Sequence, residues 1–191
     1  MNSLLSIKDL HVSFGLGLET VDAVRGINLE IARGEIVGIV GESGSGKSAS
    51  MLSVMRLLAT TATTRGTVQF DGKELFSASS KEMREIRGGK IGMIFQDPMT
   101  SLNPSFRIGS QIAEAIIRHQ HVSTKTAVSK AIDLLEVVSI PRPSESMSLF
   151  PHEMSGGMKQ RVMIAMAIAN DPELLIADEP TTALDVTIQA Q

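Results

Sequence analysis

Apolar residues recur along this chain with two different periods. Residues 4–14 alternate loosely through Leu4, Leu5, Ile7, Leu10, Val12 and Phe14, the two-residue period of a strand with one buried face. A turn over 15–20 and a second strand over 24–31 follow. Arg33-Gly34 then turns the chain tightly into Ile36-Val37-Gly38-Ile39-Val40, an apolar run that reads as a buried strand. Helical spacing begins at residue 48 and continues to 58, with Met51, Leu52, Met55 and Leu58 on one face. Residues 60–65 are polar and read as a loop, and 67–70 form a short strand closed by the Asp71-Gly72 turn. A helix over 79–86 stops at Gly88-Gly89, and 91–95 make a second buried strand finishing at Gln96.

Beyond Gln96 the pattern changes. Asp97-Pro98 and Asn103-Pro104 mark irregular backbone. Two amphipathic helices are predicted next. The first covers 108–119 with Ile112, Ala115 and Ile116 inward; the second covers 124–138 with Ala127, Ala131, Leu134, Leu135 and Val138 inward. Pro141 and Pro143 open a polar loop, a helix resumes over 158–169, and Asp171-Pro172 closes it. Leu174-Leu175-Ile176-Ala177 is a third buried strand, ending at Asp178-Glu179. The order is α/β with a mostly helical insert near 97–155, and the chain contains no internal repeats.

Composition removes several function classes. A chain of 191 residues can bury a sizeable single core. A net charge of -3 leaves no basic footprint for nucleic acid. Six scattered phenylalanines, without tryptophan or tyrosine, provide no stacking platform for single strands. Cysteine is absent, so disulfides and thiolate metal sites are excluded. The start MNSLLSIKDL lacks the features of a secretion signal, and no apolar run approaches the ~20 residues a bilayer requires. Direct membrane insertion is therefore not expected, and any membrane role runs through a partner. The eleven methionines lie mostly on apolar helix faces and read as filler. His119 and His121 have a spacing that suits a metal, but an exposed polar turn is the preferred reading.

The chemistry concentrates between the 36–40 run and the following helix, in Gly41-Glu42-Ser43-Gly44-Ser45-Gly46-Lys47-Ser48. Glycines let successive backbone N–H groups converge, and a helix N-terminus adds roughly half a positive charge. Gly41, Glu42, Ser43, Gly44, Ser45, Gly46, Lys47, Ser48 and Ala49 are the expected phosphate-binding residues. Lys47 would reach the outer phosphates of a nucleoside triphosphate, and the Ser48 hydroxyl would ligate Mg²⁺. A chance glycine-rich turn is the alternative, and the strand and helix around it weigh against that. Asp178 and Glu179 follow an apolar strand, where an α/β sheet presents acids to bound phosphates. Asp178 would hold the metal through water, and Glu179 would orient and deprotonate the attacking water. The competing reading of the acid pair is a solvated turn.

With these residues in place, the chain resembles an ABC-type ATPase, the nucleotide-binding subunit of a transporter. Met154-Ser155-Gly156-Gly157-Met158-Lys159-Gln160-Arg161 resembles the family signature LSGGQ, with Met at 154 and 158 in place of Leu and Gln. Gln96 resembles the Q-loop glutamine, a catalytic and metal-contacting position, and Thr182-Ala183-Leu184-Asp185 resembles the D-loop. The resemblance covers essentially the whole chain. It implies a P-loop NTPase with a RecA-like core (1–96 and 156–191), an N-terminal antiparallel β subdomain and a helical signature subdomain (97–155). ATP and Mg²⁺ are the implied cofactors. A second ATP-binding subunit, identical or not, is the implied partner, its ATP engaged by Ser155, Gly156 and Gly157 with Asp185 nearby. Ser155 also reads as a plain N-cap and the glycines as sites of close approach, an ordinary capped helix start being the alternative. Phe14 is the implied adenine platform, or else ordinary core at a strand end.

Finer segments point to a subgroup. Gln96-Asp97-Pro98-Met99-Thr100-Ser101-Leu102-Asn103-Pro104, Ile108-Gly109-Ser110-Gln111-Ile112-Ala113-Glu114 and Phe150-Pro151-His152-Glu153 resemble importers of oligopeptides, dipeptides, glutathione and nickel. The region after Gln96 would then meet transmembrane permease subunits, at the cytoplasmic face of the cell membrane. Alternatives are a soluble ABC-type ATPase uncoupled from transport and a non-catalytic ATP-binding fragment. The family pattern continues past the D-loop with a strand and a switch histidine, whereas this sequence stops at Gln191 and none of its four histidines takes that place. The resulting expectation is a C-terminally shortened chain that binds ATP, turns over slowly and exposes sheet surface.

Overall fold

The computed structural model describes residues 3–16, 19–97 and 101–180. It divides between Arg84 and Glu85 into two compact units.

In the first unit the alternating N-terminal residues form β1 (Leu5–Leu16). It pairs antiparallel with β2 (Glu19–Ile31) on one side and β3 (Ala62–Phe70) on the other, and β4 (Lys73–Glu74) adds to β3, giving the order β2-β1-β3-β4. Leu10, Val12 and Val68 are wholly buried on the inner face. Against β1 and β2 packs α1 (Lys47–Val54). A further helix, α2 (Ser80–Ile86), starts from a capping box in which Glu82 accepts from the Ser79 amide and Ser79 Oγ accepts from the Glu82 amide.

Several predicted boundaries move. Gly15 pairs with Thr20 inside the expected turn, and Ala62 pairs with Phe14 inside the expected loop. The free edge of β1 recruits Thr63 and Thr64, whose branched side chains suit a strand. The helix α1 is shorter than its spacing implied, because Arg56 turns left-handed at φ 50 and the Leu57 amide bonds to Leu52 O. Its buried face is Ser50, Ser53 and Val54, with Met55 beyond, rather than Met51, Leu52 and Leu58. Ser50 and Ser53 can be buried because their hydroxyls bond back to the carbonyls of Gly46 and Ser50.

The largest departure is at 36–40, where no strand forms and Ile36 and Val40 are each 98% exposed. A buried strand needs more than apolar side chains. Its amides and carbonyls require ladder partners, and among the described residues none pairs with this segment.

In the second unit β5 (Ile91–Ile94) and β6 (Leu174–Ala177) pair in parallel, Ile91 opposite Leu174 and Ile94 opposite Ala177. All of β5 is buried, but of β6 only Ile176 is, so the third strand is not the fully buried one its composition suggested. The helices are α3 (Ile108–Gln120), α4 (Thr124–Val137), the short α5 (Pro143–Ser146) where polar loop was expected, and α6 (Gly156–Ile168). Ile112, Ile116, Ala131 and Leu135 of α3 and α4 share a core with Val162 of α6. Each large side chain so buried contributes about 1.5–3 kcal/mol. Met163 and Ala167, on the other side of α6, pack with Ile94. Close packing there demands glycine at 92, since a Cβ would run into the Ala167 carbonyl.

Candidate functional site

The glycine-rich loop leads directly into α1. Gly44 and Gly46 have φ 79 and 92, conformations that side chains resist, and a Cβ at Gly46 would strike the Ala23 carbonyl. Sequence and backbone agree here: glycine is needed for the turn and for seating the helix start on β2. The Lys47 ammonium folds back and donates to Gly41 O at 2.7 Å and Glu42 O at 2.8 Å. A cation is thus held over the loop at the first residue of a helix, where backbone N–H groups lack intrahelical partners. Ser48 and Ala49 lie in the same first turn.

In the second unit the parallel register does the positioning. Continued two residues past each strand, it sets Gln96 opposite Glu179, and Gln96 Nε2 donates to Glu179 Oε2 at 3.0 Å. Glu179 is exposed and left-handed at φ 49. Asp178 differs: its amide bonds to Ile94 O, and the residue is only 7% exposed. No hydrogen bond or ion pair reaches the Asp178 carboxylate from the described residues. The two adjacent acids therefore differ in exposure, Asp178 mostly enclosed and Glu179 open.

A divalent cation fits the donor chemistry of the predicted residues. Ser48, Gln96 and Asp178 all supply oxygen, as a hard ion requires. Ser48 belongs to the first unit, and Gln96 and Asp178 to the second. Among the described residues no three His, Cys, Asp or Glu side chains cluster as a rival metal site, His119 and His121 included. Burial instead pushes the His119 imidazole below its ordinary range, with Glu85 opposing and Arg118 and His121 reinforcing the shift.

Ser155 is the N-cap of α6, its Oγ accepting from the Met158 amide at 3.3 Å. The helix begins at Gly156, two residues before the predicted start. A Cβ added at Gly156 or Gly157 meets nothing within 4 Å, and neither residue has positive φ. Nothing inside the described chain requires glycine at these positions. Phe14 is half-buried on β1, opposite Val21 and Ala62. Asp185 lies outside the described residues, as do the rest of the D-loop and Pro98, Met99 and Thr100.

The segments that suggested a subgroup are held by their own polar contacts. Gln111 accepts from the Asn103 amide at 2.9 Å and donates to the carbonyls of Asn103 and Phe106. Arg107 donates to Ser148 O and lies 5.1 Å over the Phe150 ring, which stacks on His152. Glu153 accepts from the Phe150 amide at 2.7 Å. Reading the sequence missed the pairing of Gln96 with Glu179 and the burial of Gln160, which is fully enclosed in α6. Equal spacing from the two strand ends would have suggested the first only if parallel pairing were already known.

Known proteins are similar over nearly the whole chain. The family profile described as ABC transporter matches residues 24–182. Identity is 54% over 190 residues to the oligopeptide transport ATP-binding protein OppD of Bacillus subtilis (strain 168), covering 98% of this chain and 53% of that one. It is 51% over 193 residues to the dipeptide transport ATP-binding protein DppD of the same organism, covering 100% and 58%. The chain thus spans little more than half the length of these curated relatives. A solved dimeric post-hydrolysis state of the ATP-binding cassette MJ0796, bound to ADP and Pi, matches with a TM-score of 0.87 at 30% identity, covering 97% of this chain and 78% of that one.

Proposed function

The chain belongs to the ABC transporter family, with its α/β P-loop NTPase fold, and we propose that it binds ATP and hydrolyses it to ADP and phosphate as the energising subunit of an importer of peptides or similar small solutes. The observation that carries this reading is the Lys47 ammonium held over a glycine-rich loop at the first turn of α1. Its contacts are to neutral carbonyls, so an incoming phosphate, carrying full negative charge, competes favourably for it. Loop residues 41–49 would cradle the phosphates, and the half-exposed ring of Phe14 would stack on the adenine. Glu179 would take the proton of the attacking water, oriented by the amide of Gln96. Bound Mg²⁺, held by Ser48, Gln96 and Asp178, would neutralise phosphate charge.

Partners follow from surfaces the chain leaves bare. Among the described residues nothing demands glycine at 156 and 157, which supports close approach by the ATP of a second such subunit, a contact that Asp185 would join. The loop braced by Gln111 and Arg107 supports docking of transmembrane permease subunits after Gln96, within a helical subdomain over 97–155 set between core segments 1–96 and 156–191. Among the described residues no helix is long and apolar enough to cross a membrane. The proposed location is peripheral, at the cytoplasmic face.

Phosphate release from ATP by the purified protein, alone and with permease subunits of a peptide importer, tests the reading. Turnover that rises when the permease is added is the expected result. Turnover indifferent to the permease would contradict coupling to transport, and none under either condition would contradict the hydrolytic role.

A further inference from the structure

The middle of α6 holds a polar side chain that packing alone does not explain. Gln160 is 0% exposed, yet its Nε2 donates to the carbonyl of Pro180 and its Oε1 has no partner among the described residues. Leaving one buried amide atom unpaired costs stability, and an apolar side chain of equal length would avoid it. What the amide provides is a grip on the residue directly after Glu179. That grip matters because Glu179 is left-handed at φ 49, a conformation persisting only where surrounding contacts over-determine it. Pro180 has no N–H to anchor it, so its carbonyl is the backbone handle available. Gln96 separately holds the Glu179 carboxylate. The acid is thus fixed through its side chain from the end of β5 and through its backbone from α6. The same α6 begins at Ser155, Gly156 and Gly157.

We propose that Gln160 is a positioning residue: its amide hydrogen bond to the Pro180 carbonyl holds Glu179 in its left-handed conformation and ties that acid to the helix bearing the Ser155-Gly156-Gly157 start. The assignment rests on the reading of Glu179 as the base, but the hydrogen bond itself can be tested without turnover. Any displacement of α6 that accompanies engagement of a partner's ATP is then transmitted to the position of Glu179 inside the same chain.

The test uses the full chain without nucleotide and compares Gln160→Met with Gln160→Glu. Methionine keeps length and helix compatibility but has no donor. In Q160M, amide hydrogen exchange at Asp178 and Glu179 is expected to rise about fivefold, the scale of one lost hydrogen bond, with α6 and β5 unchanged. The Q160E carboxyl is neutral at low pH, where it can still donate, and burial keeps it protonated beyond the usual range. Its exchange relative to the parent is expected to be near one at pH 5 and to climb toward the Q160M value by pH 8. A Q160E ratio already at the Q160M value at pH 5 overturns the proposal, and so does a uniform rise along the chain in both variants, which would make Gln160 a packing residue. Turnover supplies the second readout: kcat in Q160M falls about tenfold at unchanged KM, and the substitution has no further effect in an E179Q background. If the parent does not hydrolyse ATP, the base assignment fails while the exchange result still decides the role of Gln160.

Discussion

Glu179 combines exposure, a left-handed backbone and a side-chain hydrogen bond to Gln96. An acid held at the open end of a strand, in a strained conformation and bonded to the Gln96 amide, is oriented more than it is buried. Its neighbour Asp178 is mostly enclosed, and its amide bonds to Ile94 O. Glu179→Gln keeps shape and the capacity to bond with Gln96, so ATP affinity is expected to hold while single-turnover hydrolysis falls about 10²–10⁴-fold. Parental hydrolysis in the variant would remove Glu179 from the mechanism. Residue types in the glycine loop and the acid pair were legible from the chain itself, because special backbone demands and apolar flanks mark them locally. The partnerships of Gln160 with Pro180 and of Gln96 with Glu179 were not, because each depends on how distant segments come into register.

Elements were legible where a local signal sufficed. Ser155 caps α6, Ser79 caps the start of α2, and the helices over 108–120 and 124–137 follow their apolar spacing. The start of β3 and the length of β2 were misjudged, since pairing with β1 overrides polar composition there. The cap of α2 yields a pH prediction. The Glu82 carboxyl is lowered from 4.5 to about 2, first by the hydrogen bond from Lys73, then by the Ser79 amide and hydroxyl. Lowered in the folded state, it stabilises fully above the unfolded value near 4.5, and this contribution is lost as pH falls from there toward about 2. Thermal melts should accordingly show Glu82→Gln less stable than the parent at pH 7, the gap closing progressively below pH 4.5. A gap constant with pH would mean that the charge of Glu82 contributes nothing. Because the group is exposed, the effect should also shrink in high salt.

Across the whole molecule, the α/β class and the alternation of strands with a helical insert could be read from periodicity, and the family from ordered motifs. The run at 36–40 could not, because composition announces burial without supplying a strand to pair with. Ile36 and Val40 at 98% exposure, with Val37 and Ile39 at 37% and 41%, form a contiguous apolar segment in water. An environment-sensitive apolar dye should bind the nucleotide-free chain, and Ile36→Ser with Val40→Ser should weaken that signal without lowering the melting temperature. A double variant that melts much earlier would show that the run is buried after all. The central claim is that ATP binds through the glycine-rich loop and the ammonium of Lys47. Equilibrium titration of the chain and of Lys47→Ala with ATP tests it most directly, with the melting curve as a check on folding. Removing one charged hydrogen-bond donor to phosphate should weaken ATP binding about tenfold to a hundredfold at unchanged thermal stability, whereas equal affinity in both proteins would contradict the account.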